Sequence, residues 1–241
     1  MMRTLVVMPT FDEIECLPGL LDELFRALPE VEVLVVDDAS PDGTGEWAAS
    51  RAATDTALHV LRRPGKSGLA SAYLDGFAWG AARGFEVLVE MDADGSHRPR
   101  DLRKLLARLE GPDRPDLVIG SRWVFGGGVG GWSPQREFLS RAGNLYIRAC
   151  LGMGIRDATA GFRAYRSDFL LRSGVLERVD ATGYGFQVEM TWATREAGGV
   201  VVEVPITFLE RRAGVSKLSG DIFWEELRLV TRHGAHRLLG H

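Results

Sequence analysis

A chain of 241 residues with 29 Lys and Arg against 33 Asp and Glu carries a net charge of −4, so no basic field marks it as a binder of nucleic acid. Its length suits one large α/β domain or two small ones with a substantial core, and its two cysteines, Cys16 and Cys150, lack metal-type spacing and fit a reduced cytosolic protein rather than a disulfide framework. The N-terminal apolar run stops at Pro9, too short for a signal peptide, and no window reaches the ~18 consecutive apolar residues of a membrane-spanning helix, so bilayer contact is expected to be peripheral.

In chain order, strands are predicted over residues 4–8, 31–36, 58–62 and 87–91, with helices over 15–28, 43–53 and 69–83 between them. This βαβα order implies an α/β fold with a mostly parallel sheet and helices on both faces. Ligands of such sheets gather at the carboxyl ends of the strands. Three segments therefore fall on one edge: Pro9-Thr10-Phe11-Asp12-Glu13, Asp37-Asp38-Ala39-Ser40-Pro41-Asp42-Gly43, and Asp92-Ala93-Asp94. A helix over 100–109 and a strand over 116–121, ending at Arg122, continue the pattern. The glycine run 126–131 then reads as a mobile active-site loop rather than packed structure. Beyond it, a helix over 136–151 sets Arg136 and Ser140 on neighbouring turns of one face.

The remainder reads as a modified C-terminal lobe. It holds a strand within 157–165, helices over 167–173 and 185–197, an extended run over 200–210, a basic loop from Arg211 to Lys217 and a final helix over 221–239. Residues 1–220 are expected to form one domain. Residues 221–241 are expected to form an amphipathic helix, packed on that domain or lying on a membrane surface, with Phe223, Leu227, Val230 and Leu238 near one side and Arg228, Arg232 and Arg237 interspersed.

The most informative stretch is Val87-Leu88-Val89-Glu90-Met91, an apolar strand that ends abruptly in Asp92-Ala93-Asp94-Gly95. The two carboxylates repel unless a cation lies between them, and hard oxygen ligands of this kind suit Mg2+ or Mn2+ completed by substrate phosphates. A nucleoside diphosphate is the simplest ligand. Read alone, the same residues are better explained as a turn at Asp94-Gly95 with Asp92 capping the next helix; the other motifs reverse that preference. Two common phosphate cradles are absent. Gly65-Lys66-Ser67 resembles the end of a P-loop, but Val60 stands where its first glycine belongs, and the turn after the first strand offers no glycine to a pyrophosphate. Arg122, Arg211 and Lys217 supply a positive lining instead.

Taken together, Pro9-Thr10-Phe11-Asp12-Glu13, Val36-Asp37-Asp38 with Ser40-Pro41-Asp42-Gly43-Thr44, Met91-Asp92-Ala93-Asp94 with Ser96-His97, and Arg211 to Lys217 resemble the inverting glycosyltransferases of family two. Within that family the order and detail, with Gly161-Phe162-Arg163 and Phe186-Gln187-Val188-Glu189-Met190, are most similar to the polyprenyl- and dolichyl-phosphate mannose synthases. The likeness runs from Leu5 to about Lys217. It implies a GT-A (Rossmann-like) fold, a GDP-mannose donor, a polyprenyl or dolichyl phosphate acceptor, and Mg2+ or Mn2+. Carried over by position, Pro9, Phe11, Glu13, Val36 and Asp38 would hold guanine and ribose. Asp92, Ala93, Asp94 and Arg122 would hold the diphosphate and sugar, Arg211 and Lys217 the phosphates, Asp94 and Ser96 the metal, and Arg136 and Ser140 the acceptor phosphate. Phe11 and Asp12 stand where Tyr and Asn are common, and Ser96 where some relatives have Gln, which admits a water between Ser96 and the metal. The chain resembles the anchorless members, cytoplasmic and peripheral at the cytoplasmic face of the membrane, with a separate membrane-anchoring protein left open.

The implied reaction is attack by the lipid phosphate on the anomeric carbon from the face opposite the departing GDP, giving the β-mannosyl product. Such a phosphate, with its second pKa at about 6, needs little help from a base. Catalysis would then rest on alignment and charge through Asp92, Asp94, Arg211 and Lys217. Two alternatives stay open: transfer from UDP-glucose to polyprenyl phosphate, and a nucleotide-sugar-binding module without turnover. Plainer roles are also open: Arg136 as a solvated helix residue, Glu13 as a helix N-terminal acid, Asp37 as an orienter of loops, Asp157 with Arg163 as an internal ion pair, and Lys66 as a flexible surface residue. Trp123, Val124, Phe125 and Trp132, flanking the glycine run, are a second candidate for lipid contact.

Overall fold

The computed structural model describes residues 2–179, 185–211 and Thr231. Among these, the main sheet has the order β3-β2-β1-β4-β7-β5-β8. Its strands are β1 (Thr4–Thr10), β2 (Glu32–Asp37), β3 (Leu58–Arg62), β4 (Val87–Glu90), β5 (Leu117–Ser121), β7 (Arg163–Arg166) and β8 (Val201–Pro205). A separate pair joins β6 (Gly128–Gly130) to β9 (Thr207–Leu209). In the main sheet only β7 runs antiparallel, between β4 and β5. The expected strands are found within two residues of their predicted ends, with β1 running on to Thr10.

The continuous apolar runs of β1 and β2 follow from burial on both faces, because successive side chains enter opposite cores. Leu5, Val7, Leu34 and Val36 join one core; Val6, Met8, Val33 and Val35 join the other. Helices α1 (Leu17–Ala27) and α4 (Pro99–Leu109) cover the second core with leucines at helical spacing, and α2 (Thr44–Ala52) adds Ala48. Helices α3 (Leu69–Ala81), α5 (Pro134–Leu151), α6 (Ser167–Ser173) and α7 (Gly185–Glu196) contribute to the first. Cys16 is buried and Cys150 half-buried. No helix among the described residues is long and apolar enough to cross a membrane.

Two expectations are corrected. The glycine run is not a free loop: Gly128–Gly130 form β6, the Gly128 N–H donates to the Ile206 carbonyl at 3.0 Å, and the Glu210 N–H donates to that of Gly130 at 3.0 Å. A Cβ at Gly127 would lie 2.5 Å from the Ser121 carbonyl oxygen, so this glycine serves close backbone packing, which composition does not distinguish from flexibility. The extended run over 200–210 is likewise two strands in two different sheets. Lys217, the rest of the basic loop beyond Arg211, and the final helix with the boundary at residue 220 lie outside the described residues, apart from Thr231, whose hydroxyl shares a 2.9 Å hydrogen bond with the Tyr146 hydroxyl of α5.

Helix α3 comes unusually close to the sheet because it presents glycines there. A Cβ at Gly76 would lie 2.4 Å from Val7 Cγ1, and one at Gly80 would lie 2.7 Å from the Leu5 and Leu88 side chains. That approach carries Tyr73, one turn before Gly76, to the tip of β4. Gly76→Ala is expected to destabilise the fold by about 1–3 kcal/mol through overpacking. Gly19→Ala, in exposed surroundings of α1 with nothing within 4 Å of the added carbon, is expected to be neutral or stabilising by up to about 1 kcal/mol. Urea unfolding of the two variants checks this; equal midpoints would contradict the packing described.

Candidate active site

The β1 and β2 ends leave the sheet together, in register Thr10↔Asp37. Asp37 is wholly buried and accepts from the Thr10 hydroxyl at 2.9 Å and from the Ser40 hydroxyl and N–H at 2.6 and 3.2 Å, so it orients loops. Three rungs then join the two loops: Asp12 N–H to Ser40 Oγ at 3.1 Å, Glu13 N–H to Thr44 Oγ1 at 3.1 Å, and Ile14 N–H to Asp42 Oδ2 at 3.0 Å. The Ser40-Pro41-Asp42-Gly43-Thr44 motif is therefore a brace. Asp12 at φ 60° and Ala39 at φ 55° hold left-handed conformations that non-glycine residues rarely adopt, strain that the brace maintains.

Pro9, Phe11 and Glu13 lie half-buried along this rim. Asp38 accepts from the Ser67 N–H at 3.3 Å, and Arg63 Nη1 lies 3.1 Å from its Oδ1, close enough for charge attraction though not aligned as a hydrogen bond. Lys66, exposed as expected, rests its ammonium 4.4 Å from the Phe11 ring centroid. Val36 departs from expectation. Its side chain is fully buried in the core beside Gly76, so only its main chain can meet a nucleotide.

The Met91 N–H bonds to the Val7 carbonyl and carries the register of β4 out to Asp92. One strand separates Asp38 from Asp92, a gap of roughly 10 Å at the usual spacing between strands. Asp92 accepts the Tyr73 hydroxyl at 3.2 Å, and its N–H donates to His97 Nδ1 at 3.1 Å. Burial drives the Tyr73 phenol well above its ordinary pKa, so it stays a donor. His97 is sealed in, stacked on Phe162 at 4.8 Å, and burial lowers its pKa, which keeps the ring neutral and Nδ1 able to accept. Although 31% of the Asp92 side chain meets solvent, its surroundings are dense. Burial raises its carboxyl pKa, with His97 opposing, the Asp94 charge adding, and Arg211 opposing again.

Gly95, at φ 76°, turns the chain so that Asp94 Oδ1 accepts the Ser96 N–H at 2.9 Å. The Leu209 N–H in turn donates to the Ser96 carbonyl at 3.0 Å, and β9 is held by β6. These links bring Arg211 Nε to 2.9 Å from Asp94 Oδ2. Two charges far apart in sequence thus meet at the sheet edge. Ala93 is buried between the acids.

At the tip of β5, Arg122 is buried against Asp157, with Nε 2.8 Å from Oδ2, Nη2 2.6 Å from Oδ1 and the main-chain N–H 2.8 Å from Oδ2. The expected Asp157–Arg163 pair does not form. Arg163, wholly buried, donates to the carbonyls of Ala158, Ala160 and Gln187, with the Glu90 carboxylate 4.0 Å away. Asp157, missed as a partner of Arg122, is fixed by Glu203, which accepts from the N–H groups of Arg156 and Asp157 at 2.8 and 2.9 Å. Thr159 accepts from Arg122 Nη2 and from Asn144 of α5, tying the helix to the same cluster.

A strip of rings runs from the acids to α5: His97 lies 5.3 Å from Phe208, and Phe208 lies 5.5 Å from Trp132. Arg122 and Arg136 both lean on Trp132, at 5.4 and 4.0 Å from its centroid, and Arg136 lies 3.8 Å from the Glu210 carboxylate. Ser140, one turn on, is half-buried. Trp132 is thereby committed to this strip and Trp123 is buried, so of the aromatic residues suggested for lipid contact only Phe125, 99% exposed, projects outward.

Among the described residues no group of three or more His, Cys, Asp or Glu side chains forms a metal cage. The edge offers hard oxygens instead, the Asp94 carboxylate and the Ser96 hydroxyl, which is buried and makes no hydrogen bond among the described residues. So sparse a set fits Mg2+ or Mn2+, ions that keep positions for water and substrate phosphate.

Residues 5–173 match the family described as Glycosyl transferase family 2. The chain belongs to this family. It is 54% identical over 233 residues to the undecaprenyl-phosphate mannosyltransferase of Micrococcus luteus, covering 97% of this chain and 94% of that one. It is 50% identical over 233 residues to the polyprenol monophosphomannose synthase of Mycolicibacterium smegmatis, covering 96% and 87%. Among solved structures it resembles glucosyl-3-phosphoglycerate synthase from Mycobacterium tuberculosis in complex with Mn2+, UDP and glucosyl-3-phosphoglycerate, with TM-score 0.66, 19% identity, and 99% and 79% coverage. A mannosyltransferase from Pyrobaculum calidifontis in complex with GDP-Man and Mn2+ aligns with TM-score 0.62, 19% identity, and 100% and 65% coverage. This glycosyltransferase has the GT-A-like fold of those neighbours.

Glu90 lies sealed behind the acids, and burial pushes its pKa from 4.5 up to about 7, with Arg163 pulling the other way. A raised folded pKa stabilises the fold below the unfolded value, and the gain is lost as pH rises through 7. The native chain is therefore expected to lose stability between pH 5 and pH 8. Glu90→Gln should lose about 2–3 kcal/mol less over that window, at 1.36 kcal/mol per pKa unit. Urea unfolding at both pH values checks this; the same loss in both proteins would contradict the assignment.

Proposed function

We propose that this glycosyltransferase moves mannose from GDP-mannose to a polyprenyl or dolichyl phosphate, inverting the anomeric configuration and releasing GDP. The observation that carries the reading is convergence at one sheet edge. Arg211 is paired to Asp94, while Arg122 and Arg136 share Trp132, so a donor diphosphate and an acceptor phosphate have adjoining cationic seats. The names of the two bacterial relatives, each at least 50% identical over nearly the whole chain, supply the sugar and the acceptor class. The Pyrobaculum neighbour was solved with GDP-Man, the donor inferred here.

In this reading Pro9, Phe11, Glu13, Asp38 and the main chain of Val36 receive the nucleoside on the braced rim. Asp92, Ala93 and Asp94 face the diphosphate and sugar. Asp94 and Ser96 would hold Mg2+ or Mn2+ together with donor oxygens, and the ion would supply positive charge against the diphosphate. Arg211 and Lys217 add positive charge at the same place, and Arg122, locked by Asp157, offers a fixed edge of its guanidinium. Arg136 and Ser140 orient the acceptor phosphate. A phosphate oxygen then bonds to the anomeric carbon, and the electron pair of the bond being broken leaves with GDP. No proton moves, because the phosphate monoester is already largely anionic, with a second pKa of about 6. This suits a site whose buried His97 is neutral and has Nδ1 engaged by Asp92. Since the acceptor is a membrane lipid, the enzyme works in peripheral contact with the cytoplasmic face, alone or with a separate anchoring protein.

The test is incubation of the full chain with a short polyprenyl phosphate, Mn2+ and either radiolabelled GDP-mannose or UDP-glucose. Label entering the organic phase from GDP-mannose, and its loss by at least 100-fold in Asp94→Ala, is expected, on the scale of about 3 kcal/mol for one essential electrostatic contact. Label from UDP-glucose alone would replace the donor. Thermal stabilisation by nucleotide without transfer would make the protein a binding module.

A further inference from the structure

Alongside α5 lies a cavity of about 230 Å³ lined by Trp123, Arg141, Asn144, Leu145, Arg148 and Arg156. Neither the carboxylates of the donor edge nor Arg136 and Ser140 are among these residues. Positions 141, 144, 145 and 148 fall on one helical face, and Arg156 joins them from the segment after the helix, where its main-chain N–H is pinned to Glu203. The cavity gathers three arginines in a chain whose net charge is −4.

The nearby carboxylates among the described residues do not balance them. Glu137 pairs with Arg141 at 2.8 Å, Asp157 is taken bidentately by Arg122, and Glu203 is occupied by two main-chain N–H groups. Among the described residues no ion pair engages the side chain of Arg148 or Arg156. Arg141 also lies over the Trp123 ring, 4.2 Å from its centroid. Two of the lining residues carry buried polar atoms without a hydrogen-bond partner among the described residues, the Trp123 indole N–H and the Asn144 side-chain carbonyl. A buried polar group left unpaired costs about 1–3 kcal/mol, so both favour a polar occupant. The Asn144 amide nitrogen donates to the Ser140 carbonyl and the Thr159 hydroxyl, both at 3.0 Å, which fixes the amide so that its oxygen is left to accept, as from a hydroxyl on the alcohol part of an ester.

Uncompensated guanidinium groups with an indole donor beside them select an oxyanion, and planar forked donors match phosphate oxygens in particular. Two arginines without an ion pair among the described residues balance the charge of about −1.5 to −2 on a phosphate monoester at neutral pH. We propose that this cavity is a binding site for a phosphate ester, separate from the donor edge and from the Arg136–Ser140 pair. Leu145, 58% exposed at the lining, suits an ester that continues into apolar material. The chemistry is the same for a soluble ester and for the head group of an anionic lipid. It rests only on α5 and the segments packed against it, and holds whatever sugar the enzyme transfers.

The test uses the full chain, titrated calorimetrically with glycerol 3-phosphate at constant ionic strength, and floated with vesicles of phosphatidylglycerol or of phosphatidylcholine alone. Binding of the soluble ester supports a site for free phosphate esters; selective flotation with phosphatidylglycerol supports a lipid head group. In either case Arg148→Ala combined with Arg156→Ala is expected to weaken binding by about tenfold or more, and Trp123→Phe, which keeps the ring and removes the N–H, by several-fold. Affinity for GDP with Mn2+ should stay unchanged in the double variant, which separates loss of this site from misfolding and from failure of the donor reading. Should the double variant not fold, Arg148→Lys, which keeps the charge and drops the fork, is expected to weaken binding by several-fold. Absence of binding to the native chain from either source, or undiminished binding in these variants, would overturn the proposal.

Discussion

Two carboxylates one residue apart, at the end of a strand buried on both faces, are the constraint around which this molecule is arranged. For two like charges 4 Å apart the repulsion is about 4 kcal/mol at an effective dielectric constant of 20, a large fraction of a domain's total stability. The fold answers with fixed partners for Asp92 and Asp94. Tyr73 reaches Asp92 because glycines let α3 approach the sheet, Ser96 gives its N–H to Asp94, and Arg211 is delivered to Asp94 by β9. Tyr73 and Arg211 arrive from different elements, α3 and the end of β9, so the acids also define where those elements must dock.

Two wholly or largely buried arginines do for the backbone what Arg211 does for the acids. Arg122 grips Asp157, and Arg163 satisfies three carbonyls of the 158–160 segment and α7 while standing near Glu90. Ion pairs in such places gain little net stability, because desolvation offsets their attraction, but removing one partner leaves a buried charge exposed to that full penalty. Their effect is to fix alignment. The segment between them carries Gly161, whose missing side chain leaves Asp92, His97 and Gln187 gathered about 4 Å from where a Cβ would lie.

The parts of this architecture legible in the sequence are those governed by local rules. Apolar runs gave the parallel strands, helical spacing gave α1 and α4, and the polar segments after β1, β2 and β4 marked the edge where they converge. What escaped depends on long-range pairing. The glycine run looks like an unstructured loop because its ordering comes from β9, 79 residues further along the chain in the register Gly128↔Thr207, and only the hydrogen bonds reveal it. The strand expected within 157–165 is present as β7, but nothing local places it antiparallel between β4 and β5, where the Arg163 guanidinium is bonded to carbonyls inside the core. Asp157 offered no signal, since nothing near it in sequence indicates Arg122. Val36 was assigned by position in a motif, yet its place in the alternation of β2 turns its side chain toward α3.

On the function proposed above, the edge bearing Asp92 and Asp94 is completed by a divalent cation shared with a nucleoside diphosphate. Calorimetric titration of GDP into the full chain, with Mn2+ and again with excess chelator, tests it most directly. The account predicts that Mn2+ strengthens GDP binding by at least about tenfold, or 1.4 kcal/mol; equal affinity with and without the metal would contradict it.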